Sequence, residues 1–132
     1  MNAFVQSVAR VLEVDSVGLD DEFRNVPGWC SLHAFGLLVM LENDWHAPIG
    51  IERLSALSSV KDLYREAFVA FAAEVLGVER GEIGGDTARG SIPQWDSVAH
   101  LRLVMEAEKR FGTYYPIETI PSLSRIDDFL VA

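Results

Sequence analysis

Two serines stand where this chain could support chemistry. Ser97 lies in Trp95-Asp96-Ser97-Val98 and Ser31 in Trp29-Cys30-Ser31-Leu32. Each precedes a run of apolar residues with helical period, so each hydroxyl is expected at the start of a helix. That position is exposed, and its free N–H groups and positive dipole end suit an attached phosphate. Asp96 is favourable in the same field. In the first motif Cys30 takes its place, which removes a charge and an acceptor. Cys30 reads either as a tolerated substitution or as a reactive thiol near a helix start. Catalysis by the chain itself is not expected. Asp96, Ser97 and His100 are too close along one helix start to form a relayed triad. His33, His46 and His100 lack metal-ligand spacing with Cys30 or with an acidic pair, and are expected at the surface. Gly81, Gly84, Gly85 and Gly90 show no phosphate-loop order.

The elements that position these serines occur twice. Laying Trp29 over Trp95 gives an offset of 66 that runs without a gap to Tyr64 over Leu130. Identical pairs include Ser31/Ser97, Leu37/Leu103, Glu42/Glu108, Ile51/Ile117, Leu57/Leu123, Ser58/Ser124 and Asp62/Asp128. Upstream, Val11-Leu12-Glu13-Val14-Asp15 matches Val75-Leu76-Gly77-Val78-Glu79 at an offset of 64, so the second copy has a first loop two residues longer. Self-similarity outranks length as a guide to organisation. We therefore read two copies, residues 1–66 and 67–132.

Each copy reads as helical. Phe4, Val8, Val11 and Leu12 form one stripe, as do Phe68, Phe71, Ala72, Val75 and Leu76. Leu37, Leu41 and Trp45, and their counterparts Leu103, Ala107 and Phe111, recur every four residues and should face inward. A short turn is expected near Ile51–Leu54 and near Glu118–Ile120. Ser58 or Ser124 is expected to cap a last helix with Val60 and Leu63, or Ile126 and Phe129, inside. Residues 59–76 contain neither glycine nor proline, so the last helix of copy one should run straight into the first helix of copy two. The fold class is all-α: two bundles of three or four helices sharing a connecting helix.

The chain has 132 residues, 49% of them hydrophobic, and a net charge of −9. The charge divides into −5 (5 basic, 10 acidic) and −4 (6 basic, 10 acidic) between the copies, so neither is a charged tail. The hydrophobic content is too high for disorder. No apolar run reaches the roughly 18 residues of a membrane span. The acidic balance disfavours nucleic acid and anionic membrane surfaces as partners. A single cysteine and the lack of a basic leader or cleavage site point to a reducing, cytoplasmic setting.

The run Ile92-Pro93-Gln94-Trp95-Asp96-Ser97-Val98-Ala99-His100-Leu101-Arg102-Leu103, with Ile117-Glu118-Thr119-Ile120-Pro121-Ser122-Leu123 behind it, resembles the acyl/peptidyl carrier protein family. That family carries Asp-Ser-Leu or a close variant at a helix start. The resemblance covers copy two and, more weakly, copy one. It implies that Ser97 receives 4′-phosphopantetheine from coenzyme A through a separate phosphopantetheinyl transferase, and that acyl groups ride as thioesters on the arm. Ser31 is a candidate second site, with Cys30 where the family has aspartate. Acyl-loading and acyl-processing enzymes of a polyketide, fatty-acid-like or related pathway would be the partners of a monomeric, non-catalytic shuttle.

Partner contacts are expected from Asp96, Val98, His100, Arg102 and Glu106 in copy two, and from Leu32 and His33 in copy one. With Leu37, Leu41 and Trp45 inward, copy one should turn His33, Ala34, Gly36, Met40 and Asn43 outward, and copy two His100, Arg102, Glu106 and Lys109. The first of these faces is nearly uncharged and the second mixed, which makes long-range steering to a basic partner weak. The competing reading is a non-carrying interaction module in which copy one docks or braces.

Overall fold

The computed structural model describes residues 2–131, which contain five α-helices. They are α1 (Ala3–Leu12), α2 (Ser31–Trp45), α3 (Ile51–Ala56), α4 (Val60–Leu76) and α5 (Ser97–Phe111). Short 3₁₀ turns cover Phe23–Asn25, Arg80–Glu82, Ile117–Ser122 and Ile126–Phe129. The described residues contain no β-strand, only the isolated bridges Glu22–Ser59 and Ala88–Arg125.

Helix α4 is unbroken through residues 66–68 and spans 17 residues, about 25 Å at 1.5 Å per residue. Its cap is Ser59 rather than Ser58. The Ser59 hydroxyl accepts from the Asp62 N–H at 3.1 Å, while the Ser58 hydroxyl donates to the Asp62 carboxylate at 3.3 Å. The helix is buried on nearly every side, from Val60 to Leu76, because α1, α2 and α5 all pack against it. Glu66, only 4% exposed, is held by Arg53 at 2.9 Å and Arg80 at 3.4 Å. A carboxylate this deep needs such partners. One of them, Arg80, opens the Arg80–Glu82 turn, in the loop that is two residues longer than its counterpart in the first copy.

The repeat recurs in the hydrogen bonds. At an offset of 66, Phe23 N–H to Ser58 O, Val60 N–H to Asp21 O and Lys61 N–H to Leu19 O return as Arg89 to Ser124, Ile126 to Thr87 and Asp127 to Gly85. The N–H groups of Ser58 and Ser59 bind Asp62 as those of Ser124 and Arg125 bind Asp128. Burial works against ionisation of both carboxyls, yet these donors hold them below the usual aspartate range. At an offset of 64, α1 and α4 close with the same paired bonds, Glu13 to Arg10 with Val14 to Ala9, and Gly77 to Glu74 with Val78 to Ala73. Both ends are Schellman motifs.

The buried side chains of both halves join one hydrophobic cluster. Its centre is aromatic. Phe111 stacks on Trp45 at 5.0 Å and on Phe68 at 5.2 Å, and lies 5.3 Å from Tyr64 and from Phe71. Trp45 and Phe111 are equivalent positions, so the halves meet through their own counterparts. Beside this contact Arg110 lies over the Trp45 ring at 4.3 Å and donates to the Asp44 carbonyl. One bridge crosses the junction, Arg65 to Asp127 at 2.7 Å, and Asp62, in the same helix as Arg65, holds that guanidinium at 3.0 Å.

Candidate functional site

Ser97 is the first residue of α5 and is exposed. Asp96 is its N-cap, in extended backbone, and its Oδ1 accepts from the Ala99 N–H at 2.8 Å. One residue earlier, Trp95 is 1% exposed. The chain therefore passes from a sealed indole to a free hydroxyl in two residues. The Trp95 N–H is tied to Ile92 O at 3.2 Å, and its ring lies 6.3 Å from that of Phe129. A buried anchor of this size fixes where the exposed hydroxyl stands.

His100 is the main correction to the expected face. It is 2% exposed and points inward, three and four residues before the buried Leu103 and Val104. Its Nδ1 accepts from the Trp95 indole N–H at 3.1 Å, and its Nε2 lies 2.9 Å from Ile120 O. The ring is thus unavailable for partner contact. Burial is the largest cause holding its pKa below the ordinary histidine value, and Arg89 adds to it; the bond to Ile120 opposes.

Ser31 occupies the equivalent place, the first residue of α2, and is also exposed. Its surroundings differ. Cys30 is exposed and makes no side-chain cap. Instead His33 Nδ1 accepts from the Cys30 N–H at 3.1 Å and sits 3.5 Å from its sulfur. Trp29, only partly buried, stacks on His33 at 5.9 Å. Reciprocal substitutions test the caps. Asp96→Ala is expected to cost about 1 kcal/mol and Cys30→Asp to add a similar amount, each measured by urea denaturation.

The outward faces match expectation only in part: Arg102, Glu106, Lys109 and Asn43 are exposed, but several apolar side chains are exposed as well. Met40 is buried at 4% exposure, because it extends the Leu37–Leu41 stripe, and His33, Ala34 and Gly36 are half-buried. Gly36 lies beside Val11, with a Cβ there falling 2.9 Å from its Cγ1. Leu32, Phe35, Val39 and Ile51 face solvent instead, and so do their counterparts Val98, Leu101, Met105 and Ile117. Of the expected contact residues, Asp96, Val98, Arg102, Glu106 and Leu32 are exposed. Four apolar surface positions thus repeat at one offset. The alignment of the copies already contained that signal, since all eight are apolar yet lie off the inward stripe. Singly exposed apolar residues need no explanation, whereas here a group of four is exposed in both copies.

Among the described residues no three His, Cys, Asp or Glu side chains converge as a metal set, and no helix is long and apolar enough to cross a membrane. Compared with known proteins, the chain matches no protein-family model, no curated protein and no solved structure.

Proposed function

We propose that the chain is a tandem carrier, two helical bundles sharing α4, in which Ser97 bears 4′-phosphopantetheine and shuttles thioester-linked acyl groups. The observation that carries this reading is the exposed Ser97 hydroxyl at the first turn of a 15-residue helix, positioned by the buried Trp95 and capped by Asp96. A phosphodiester formed there meets the free N–H groups and the positive dipole end of α5. The serine needs no base of its own, because the transferase supplies one. Ser31 is a candidate second site by position, but Cys30 gives a transferase no carboxylate to engage there. The chain acts on nothing itself; a phosphopantetheinyl transferase and acyl-loading and acyl-processing enzymes are its partners, in the cytoplasm.

The exposed apolar groups favour a second reading, an interaction module that carries nothing. Intact-mass spectrometry after incubation with coenzyme A and a broad-specificity phosphopantetheinyl transferase separates the two. Each arm adds about 340 Da. We expect one addition, mapped by proteolysis to the peptide containing Ser97. Two additions extend carriage to Ser31, and none selects the interaction module.

A further inference from the structure

We propose that neutral His100 is the positioning residue of the second half: it ties Trp95 to Ile120, and protonation of its ring releases the loop that presents Ser97. The consequence for Ser97 rests on the carrier reading; the tie itself does not. The indole N–H of Trp95 can only donate. Its bond to Nδ1 at 3.1 Å therefore requires a bare nitrogen there, which leaves the proton on Nε2, aimed at the Ile120 carbonyl 2.9 Å away. One imidazole thus links the loop before α5 to the Ile117–Ser122 turn. A second proton would land on Nδ1 and set N–H against N–H in a buried site. The ring has no escape, being 2% exposed and packed 6.0 Å from the Trp95 ring and 5.9 Å from that of Phe129.

Charge around the ring offers the cation no help. The charged group acting on it is Arg89, in the loop before α5, which disfavours protonation. From the other sides come the uncharged rings of Trp95 and Phe129 and the Ile120 carbonyl. The ring's pKa is lowered from the ordinary 6.5, so the latch is closed at neutral pH. Its contribution to stability is complete above about 6.5 and is lost as pH falls through the lowered value. The first half has no counterpart. Ala34 stands in place of His100, and Trp29 is only partly buried.

Two measurements test this. In the wild-type protein, the Trp95 indole N–H resonance should shift with the same apparent pKa as the His100 ring, below 6.5. An indole signal that ignores the ring's titration would overturn the latch. For presentation, the rate of Ser97 loading by the transferase is compared with that of His100→Gln at each pH. Glutamine can accept from the indole and donate to Ile120 without titrating, and the ratio cancels the transferase's own pH dependence. We expect a ratio near unity above pH 6.5 that falls about tenfold per pH unit once the ring is mostly charged. His100→Ala should load poorly, through a raised KM, at every pH. A ratio flat across the titration would refute the link to Ser97. Complete absence of loading in the wild type would instead refute the carrier reading, with the indole signal still deciding the latch.

Discussion

Phe111→Ala is expected to cost about 3–5 kcal/mol. The side chain is fully buried and contacts four aromatic rings at 5.0–5.3 Å, two from residues of the first half, Trp45 and Tyr64, and two from the second, Phe68 and Phe71. No rearrangement of α4 and α5 can refill a void bounded by rings on that many sides. Domains of this size are stable by only about 5–15 kcal/mol, so the variant should sit close to its unfolding midpoint. The informative part is cooperativity. Since both halves share one cluster, urea unfolding followed by tryptophan fluorescence and by far-ultraviolet circular dichroism should move to a lower midpoint in a single, coincident transition. Separate transitions would show that the halves hold together independently of the Trp45–Phe111 stack. Phe111→Leu, which keeps most of the volume, should cost less than half as much.

The second large effect is chemical. Ser97→Ala removes the hydroxyl that the proposed arm requires, and the expected result is complete loss of the mass addition mapped to that peptide. The substitution should leave the fold intact. Ser97 is exposed and Asp96, not Ser97, caps α5, so a change within about 0.5 kcal/mol is expected. An unaltered melting curve with no loading isolates the hydroxyl from the helix that holds it. Loading that persists at full level in Ser97→Ala would move the attachment point elsewhere in the chain.

Much of the architecture was legible because apolar period and repetition agree. The stripes at Phe4–Leu12, Leu37–Trp45 and Leu103–Phe111 are the inward faces, and the stretch without glycine or proline is α4. What escaped were side chains whose environment depends on distant segments. His100 is followed by the exposed Leu101 and Arg102, and the approach of Ile120 and Trp95 makes its position interior. Polarity argued for the surface; a complete set of hydrogen bonds overruled it. Met40 failed in the opposite sense. It was assigned outward by a stripe drawn too narrowly, whereas a helix lying against two neighbours buries a wider arc. The shift of the α4 cap from Ser58 to Ser59 has a similar origin, as adjacent serines are equivalent until Asp62 chooses between them.

The two halves close their helices differently, and this makes them unequal in motion. In the second half the left-handed residues after α4 and α5 are Gly77 and Gly112; in the first, after α1 and α2, they are Glu13 and His46, at φ of 59° and 54°. A Cβ in that region costs roughly 1–2 kcal/mol, so those two ends are the weaker closures. Their terminal amides should therefore exchange with deuterium sooner than those of α4 and α5, and local fraying will concentrate on the half that bears Cys30.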